Sequence, residues 1–281
     1  MSGISWSRKG EWLELSALSG VRMPAKLLGK LKAQGGVVER SGRVLLRLFP
    51  DEPLHCMPQW ADIEVLYEDD FCLVVHKPAG MKVHPTEAGE GGTLDHAVAF
   101  HYESTGQACR VRHIHRLDED TTGPVLYAKN EWAQLLLDEA MREKKIGRAY
   151  AAVVHGRPDP PQGTVDAPIG KDRHHRSRRR VSASGDPAIT HYELVASYKN
   201  ASLVRLTLKT GRTHQIRVHM SYLGHPLVGD ELYGGRPDGI ARQALHGETL
   251  SFEHPLSGER LTVHAPWPDD FARLVERFEK M

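Results

Sequence analysis

At 281 residues the chain is long enough to bury a substantial core, and its 40% hydrophobic and 26% charged content is that of a globular protein rather than a disordered or fibrous one. Thirty-seven Lys and Arg stand against 36 Asp and Glu, so the net charge of +1 gives no global pull toward a polyanion, and any such affinity must come from local patches or from the 17 histidines. Cys56, Cys72 and Cys109 are far apart with no C-x-x-C pair, which argues against a disulfide framework or zinc knuckle and fits a reducing cytoplasm, while the N-terminus lacks a signal-peptide core and no run of eighteen apolar residues offers a membrane span.

Residues 1–60 form a first unit. MPAKLLGKLKAQGG places Leu27, Leu28 and Leu31 on one side of a short helix that begins near Pro24 and stops at Gly35-Gly36. VVERSGRVLLRLF then reads as a hairpin around Ser41-Gly42. Lys26, Lys30, Lys32, Arg40, Arg43 and Arg47 make this segment basic, which suits either a small RNA-binding module or a solvated face. Pro50, Pro53 and Pro58 mark a linker, and residues 61–281 form the second unit.

In that unit VRHIHRLD reads as a strand tip entering the loop DEDTTG, with VLYAK resuming a strand. NEWAQLLLDEAMREKK predicts a helix capped by Asn130 that buries Trp132, Leu135, Leu136, Ala140 and Met141. SLVRLTLK alternates, with Val204, Leu206 and Leu208 on one face, and follows HYELVASY across a turn at Asn200-Ala201. TGRTHQIRVHMSYLGHP predicts a helix capped by Thr213 and ended by Gly224, with Ile216, Met220 and Leu223 buried and His214 and Arg217 sharing another face. LSFEHPLSGERLTVHAP is a further hairpin, and PDDFARLVERFEK a closing helix that buries Phe271, Leu274 and Phe278.

Charged groups concentrate in HIHRLDEDTTG, residues 113–123. Loops held by rigid strands display catalytic groups, so Asp118 is a candidate; the same residue type also caps turns through its carboxylate. His214 and Arg217, directed at one place, suit a carboxylate or a phosphate. A metal site built from His113, His115, His214, His219 and Asp118 is a separate reading, against which the five-residue spacing of the last two histidines stands, since it does not align on one helical face. The basic run KDRHHRSRRR, residues 171–180, lies between strand-like segments and reads as a loop reaching for phosphate.

HRLDEDTTG closely resembles the HRLDxxTSG signature of RNA pseudouridine synthases of the RluA type, and four more segments agree with that family in order: VLYEDDFCLVVHKPAGMKVHP, RAYAAVVHG, LKTGRTHQIRVHMSYLGHPLVGDELYGG and ALHGETLSFEHPLSGERLTVHAPWPDDF. Together they cover about 220 residues. The resemblance implies an α+β fold in which a mixed, largely antiparallel central sheet in two sub-domains surrounds a catalytic cleft, plus a small N-terminal domain similar in element order to the S4 RNA-binding domain. It implies isomerisation of a uridine in ribosomal or transfer RNA, the base being detached from C1′, turned, and rejoined through C5, with no cofactor and no metal. Asp118 is implied as the nucleophile, on the ribose or on the uracil ring, Arg217 as its partner, and Tyr150 as an aromatic surface for the detached base with a hydroxyl able to handle the C5 proton. Arg116 matches the residue that enters the nucleic acid where the target has unstacked, and His115, Thr121, Arg212, His214 and Gln215 fall at substrate-binding positions of the motifs, although His115 and His214 equally suit a structural role. Thr122 stands where serine is commoner, and Asp186-Pro187 in GDPAITHY departs from a Gly-Lys-x-Ala-x-Thr pattern, removing one basic contact. A monomeric, cytoplasmic protein is expected. The competing readings are a catalytically silent RNA-binding protein that keeps the fold and a metal-dependent hydrolase.

Overall fold

The computed structural model describes residues 5–281. Its first elements are β1 (Trp6–Lys9), β2 (Trp12–Leu15), α1 (Ala25–Ala33), β3 (Val37–Arg40) and β4 (Arg43–Arg47), with the strands in one antiparallel sheet of order β1-β2-β4-β3. The expected helix and hairpin are present: α1 starts after Pro24 and stops before Gly35, whose φ of +67° lets the chain reverse. WSRK and WLEL, which form the β1–β2 hairpin, are four residues each and too short to display a recognisable strand alternation.

Core packing continues across the proline-bearing stretch at residues 50–58. Leu13, Leu15, Leu27, Leu31, Leu46 and Phe49 share one buried cluster with Phe71, Leu126 and Trp132 of the following unit. Three of the six basic residues noted above are ion-paired: Lys30 with Glu131 at 2.5 Å, Arg43 with Glu14 at 3.1 Å and Arg47 with Glu11 at 2.5 Å. Such exposed pairs add little stability, yet they reduce the positive field left for a polyanion.

The rest of the chain runs β5 (Glu64–Glu68), β6 (Cys72–Lys77), α2 (Leu94–Ser104), β7 (Gly123–Ala128), α3 (Glu131–Arg142), β8 (Gly147–His155), β9 (Gln162–Asp166), β10 (Ile169–Lys171), β11 (Arg179–Val181), β12 (Ile189–Ser197), β13 (Ala201–Leu208), α4 (Gln215–Tyr222), β14 (Leu245–Glu253), β15 (Arg260–His264) and α5 (Asp269–Glu279). The class is α+β, as expected, but the central sheet is divided. β5-β6-β7 form one antiparallel sheet and β15-β14-β8-β13-β12-β9 another, while β10 and β11 pair separately as a hairpin that takes in both ends of the basic 171–180 run and leaves residues 172–178 as its loop. The two larger sheets meet at a parallel bridge between Thr122 and His246. Gly123 makes that approach possible: a Cβ on it would lie 2.6 Å from the carbonyl oxygen of Gly247. The glycine that ends the 113–123 motif is therefore the point where one sheet touches the other.

Three local expectations change. VRHIHRLD is not a strand: His113 bridges Tyr127 and the Ile114 N–H donates to the Leu126 carbonyl, after which the chain parts from β7. On α3, capped as expected by Asn130 accepting from the Ala133 N–H at 2.8 Å, Leu135 is exposed and Leu137 buried instead, so the apolar stripe is rotated from the one read. Thr213 does not cap α4. His214 occupies the cap position in the left-handed conformation, at φ +58°, and the Gln215 side chain accepts the Arg212 N–H. Among the described residues no helix is long and apolar enough to cross a membrane.

Candidate active site

Asp118 lies where the 113–123 segment leaves β7. Its carboxylate accepts from no backbone N–H; the turn is closed instead by its carbonyl, which accepts from the Thr121 N–H at 3.0 Å. The turn-cap reading of the side chain is thus set aside. Oδ2 lies 3.4 Å from Arg217 Nη1 and 4.0 Å from His214 Nε2, so the acid and the two basic groups that the motifs paired do meet.

Arg217 sits on α4, 8% exposed, and its tighter partner is Asp230, at 2.7 Å to Nε and 2.8 Å to Nη2. This two-bonded fork fixes the guanidinium plane and leaves Nη1 toward Asp118. Burial opposes the charge on Arg217, but Asp230 and then Asp118 outweigh it and hold the guanidinium firmly protonated. Tyr233 completes the support: the Arg217 guanidinium stands 5.0 Å from its ring centre, and its hydroxyl pairs with His214 Nδ1 at 2.8 Å. Burial pushes the His214 imidazole below its ordinary range in spite of Asp118, which favours the neutral ring.

The loop carrying Asp118 is gripped from both sheets. Lys77, fully buried at the end of β6, donates through Nζ to the carbonyls of Pro78, Met81 and Glu119 at 2.7, 2.6 and 2.6 Å, and burial pulls its ammonium down to about 7. Arg242 donates from Nη1 to the Asp120 carbonyl at 3.1 Å while Asp270 of α5 holds its other two nitrogens at 2.7 and 2.9 Å. His246 on β14 donates through Nε2 to the Ala265 carbonyl at 3.2 Å and accepts the Thr122 hydroxyl through Nδ1 at 2.8 Å; burial lowers this ring to about 4, so it is neutral. Thr122, the residue standing in for serine, keeps the hydroxyl that this contact uses.

A cleft of about 1220 Å³ opens beside Asp118 and is lined by Tyr150, Arg217, Leu117, Ile216 and Leu245. Tyr150 on β8 is 5% exposed and packs in one cluster with those three apolar residues. Burial raises its phenol above the ordinary value, so the hydroxyl stays protonated. Arg116 and Arg212 are exposed on the cleft wall, the latter donating Nε to the Pro187 carbonyl at 3.0 Å. Three of the motif's substrate-binding positions are engaged within the protein. Gln215 bridges Thr210, Arg212, Ile189 and Thr190, so its amide fastens the 210–215 loop to β12. Thr121 is 2% exposed and accepts from Gln243. His115 is 6% exposed, accepts the Leu126 N–H at 3.2 Å, and is lowered by burial to about 3.

The metal reading loses its focus. His113 turns to Asp95, and both ring nitrogens of His219 are bonded, to Thr190 and Ala167, so these histidines do not converge on Asp118. Among the described residues the cluster with metal-ligand spacing is Asp69, Cys72 and His254, where Asp69 accepts the Phe71 and Cys72 N–H groups at the start of β6. Asp230, Tyr233, Lys77, Arg242 and His246 were missed from sequence. The acid in LVGDELYGG and the lone lysine after the apolar run in FCLVVHK were the available signals.

Residues 71–222 match the family model described as RNA pseudouridylate synthase. The chain is 43% identical over 244 residues to the "Uncharacterized RNA pseudouridine synthase YhcT" of Bacillus subtilis (strain 168), covering 86% of this chain and 81% of that one. It is 39% identical over 298 residues to the "Ribosomal large subunit pseudouridine synthase D" of Vibrio vulnificus (strain CMCP6), covering 99% of this chain and 87% of the relative. Among solved structures, "Human RNA Pseudouridylate Synthase Domain Containing 1" superposes with a TM-score of 0.63 at 26% identity over 78% of this chain and 96% of its own.

Proposed function

Because this chain belongs to the RNA pseudouridylate synthase family, and so isomerises uridine to pseudouridine in RNA, we propose that its substrate is ribosomal RNA and that Asp118 is its nucleophile. The ribosomal target is supported by the relatives that carry that substrate in their names. The nucleophile rests on one observation, a carboxylate 3.4 Å from a guanidinium that a second, buried acid holds in place, at the wall of a cleft floored by Tyr150.

The chemistry breaks the bond from C1′ to N1, forms one from C1′ to C5, removes the proton from C5 and leaves one on N1. Arg217 favours the ionised acid and fixes its direction, which a carboxylate nucleophile requires. Tyr150, with Leu117, Ile216 and Leu245 around it, offers the detached uracil a flat, water-poor bed in which to turn. Its hydroxyl, held protonated by burial, relays the C5 proton: it accepts that proton while giving its own up toward N1, the atom that gains a proton in the overall isomerisation. Reaching this bed requires the uridine to leave its stack, at a few kcal/mol, and the exposed Arg116 beside the cleft is placed to fill the vacancy. Lys26, Lys32 and Arg40 are the exposed residues through which the N-terminal sheet and helix would add to RNA affinity.

Pseudouridine mapping of total RNA from a strain lacking the gene tests both parts. A missing ribosomal position is expected to return with the wild-type chain and not with Asp118→Asn. Restoration by the variant overturns the nucleophile, and a missing position confined to transfer RNA overturns the target.

A further inference from the structure

Arg148 takes no part in the arrangement above, yet it lines the same cleft. It lies on β8 two residues before Tyr150 and therefore shares its face of the sheet. Its guanidinium is half-buried and, among the described residues, unanswered. Asp118 pairs with His214 and Arg217 instead, and Arg148 Nε is buried without a hydrogen-bond partner. Buried guanidinium groups are ordinarily matched by a carboxylate or by carbonyls, as Arg217 and Arg242 are here. The two terminal nitrogens extend over the loop before α4: a Cβ on Gly211 would stand 3.0 Å from Nη1 and 3.3 Å from Nη2. A glycine at that point gives the fork its room.

An uncompensated planar cation in the cleft, beside the exposed residues Gly211, Arg212 and Thr213, matches an anion with several oxygens. We infer that Arg148 binds a backbone phosphate next to the target uridine, so that the ribose is held against Asp118 while the base turns on Tyr150. The inference rests on the reading of Asp118 and Tyr150 given above. It makes Arg148 a substrate-binding residue whose loss is felt in binding before it is felt in chemistry. An arginine acting only on the Tyr150 phenol would leave binding untouched.

The test uses five-residue oligouridylate as the probe, with ordinary phosphates or with one linkage at a time replaced by an uncharged methylphosphonate, bound to the full chain carrying Asp118→Asn so that no turnover intervenes. With Arg148 present, one particular replacement is expected to weaken binding roughly tenfold. With Arg148→Gln added, ordinary oligouridylate is expected to bind about tenfold more weakly, the methylphosphonate effect to vanish, and the dependence of log affinity on log salt to flatten by about 0.7. Arg148→Lys, which keeps the charge and loses the fork, is expected to retain part of the discrimination. Equal sensitivity to every linkage in the Arg148 protein overturns the inference without requiring any Arg148 variant to fold. A methylphosphonate effect that persists in Arg148→Gln overturns it as well. Activity on total RNA, measured separately with Asp118 restored, reports on the proposed function and not on this subsite.

Discussion

Asp230 is the residue on which the direction of Arg217 depends, and Asp230→Ala tests that dependence. The substitution removes both short hydrogen bonds, 2.7 and 2.8 Å, from a guanidinium that is 8% exposed, and leaves it the 3.4 Å contact with Asp118 and the face of the Tyr233 ring. Removing one partner of a buried ion pair costs about 3–5 kcal/mol, because the remaining charge stays desolvated. The low end applies here, about 3 kcal/mol, since Asp118 offers a second carboxylate. For a chain of this size that corresponds to a melting temperature lower by roughly 6–12 °C. Chemistry suffers for a different reason: the freed guanidinium swings onto Asp118 and turns the carboxylate off line, and a misplacement of about 1 Å costs on the order of 100-fold in rate. Asp230→Asn, which keeps the shape and one acceptor but loses the charge, is expected to fall between the two proteins. Circular-dichroism melting and single-turnover conversion of uridine in RNA read the two effects independently. An Asp230→Ala protein that melts within about 2 °C of the wild type and converts uridine at the same rate refutes the idea that this acid, through Arg217, positions Asp118.

Gly123→Ala forces a Cβ to within 2.6 Å of the Gly247 carbonyl at a φ of +135°, so the two sheets must separate where the Asp118 loop joins them; a loss of at least about 2 kcal/mol by urea unfolding, with reduced turnover, is expected, and unchanged stability would count against a close junction. Removing residues 1–60 uncovers Phe71, Leu126 and Trp132, so the remaining chain is expected to be aggregation-prone rather than a free-standing catalytic unit, and a soluble, cooperatively melting 61–281 fragment would contradict the shared core. His246, held near 4 against 6.5 for a free ring, takes up its proton more readily in the unfolded chain, so its contribution to stability is complete above about pH 6.5 and is lost as pH falls toward 4; His246→Gln, whose amide can make both hydrogen bonds without titrating, is expected to melt with a shallower dependence over that range, and an identical slope would remove the assignment of a neutral buried ring.

Legibility from sequence followed the range of the interaction. α1, the hairpin after it, α3 with its Asn130 cap, the β14–β15 hairpin and α5 are set by local periodicity and by residues within a turn of their ends, and each was read close to its place. Where a non-local contact overrides local preference, the reading slipped. Thr213 is a reasonable cap by type, but the Gln215 amide reaches back to Arg212 and across to β12, and the chain follows that stronger anchor. The stripe on α3 shifted from Leu135 to Leu137 because the face it must cover includes the N-terminal unit, whose packing no pattern within α3 can announce. That Asp118, Tyr150 and Arg217 border one cleft was legible through motif order. Their supports, Asp230, Tyr233, Lys77, Arg242 and His246, were not, since an acid or a lysine does not reveal from its neighbours which distant charge it will meet.

Those supports explain how the nucleophile proposed here, although it lies on a loop, is held in one place. Asp118 sits in neither sheet, and a loop with a single anchor would follow the motion of that anchor. Here Lys77 holds the Glu119 carbonyl from the end of β6, Arg242 holds the Asp120 carbonyl with Asp270 of α5 behind it, and His246 of β14 holds Thr122. The opposing guanidinium comes from α4 and is locked by Asp230 rather than by Asp118. On the proposed mechanism, attack by the Asp118 carboxylate would leave the arginine in place, because its two short bonds do not involve the reacting group. An arginine held only by the nucleophile would lose its anchor at the moment the carboxylate formed a bond, whereas one locked by Asp230 would keep its orientation.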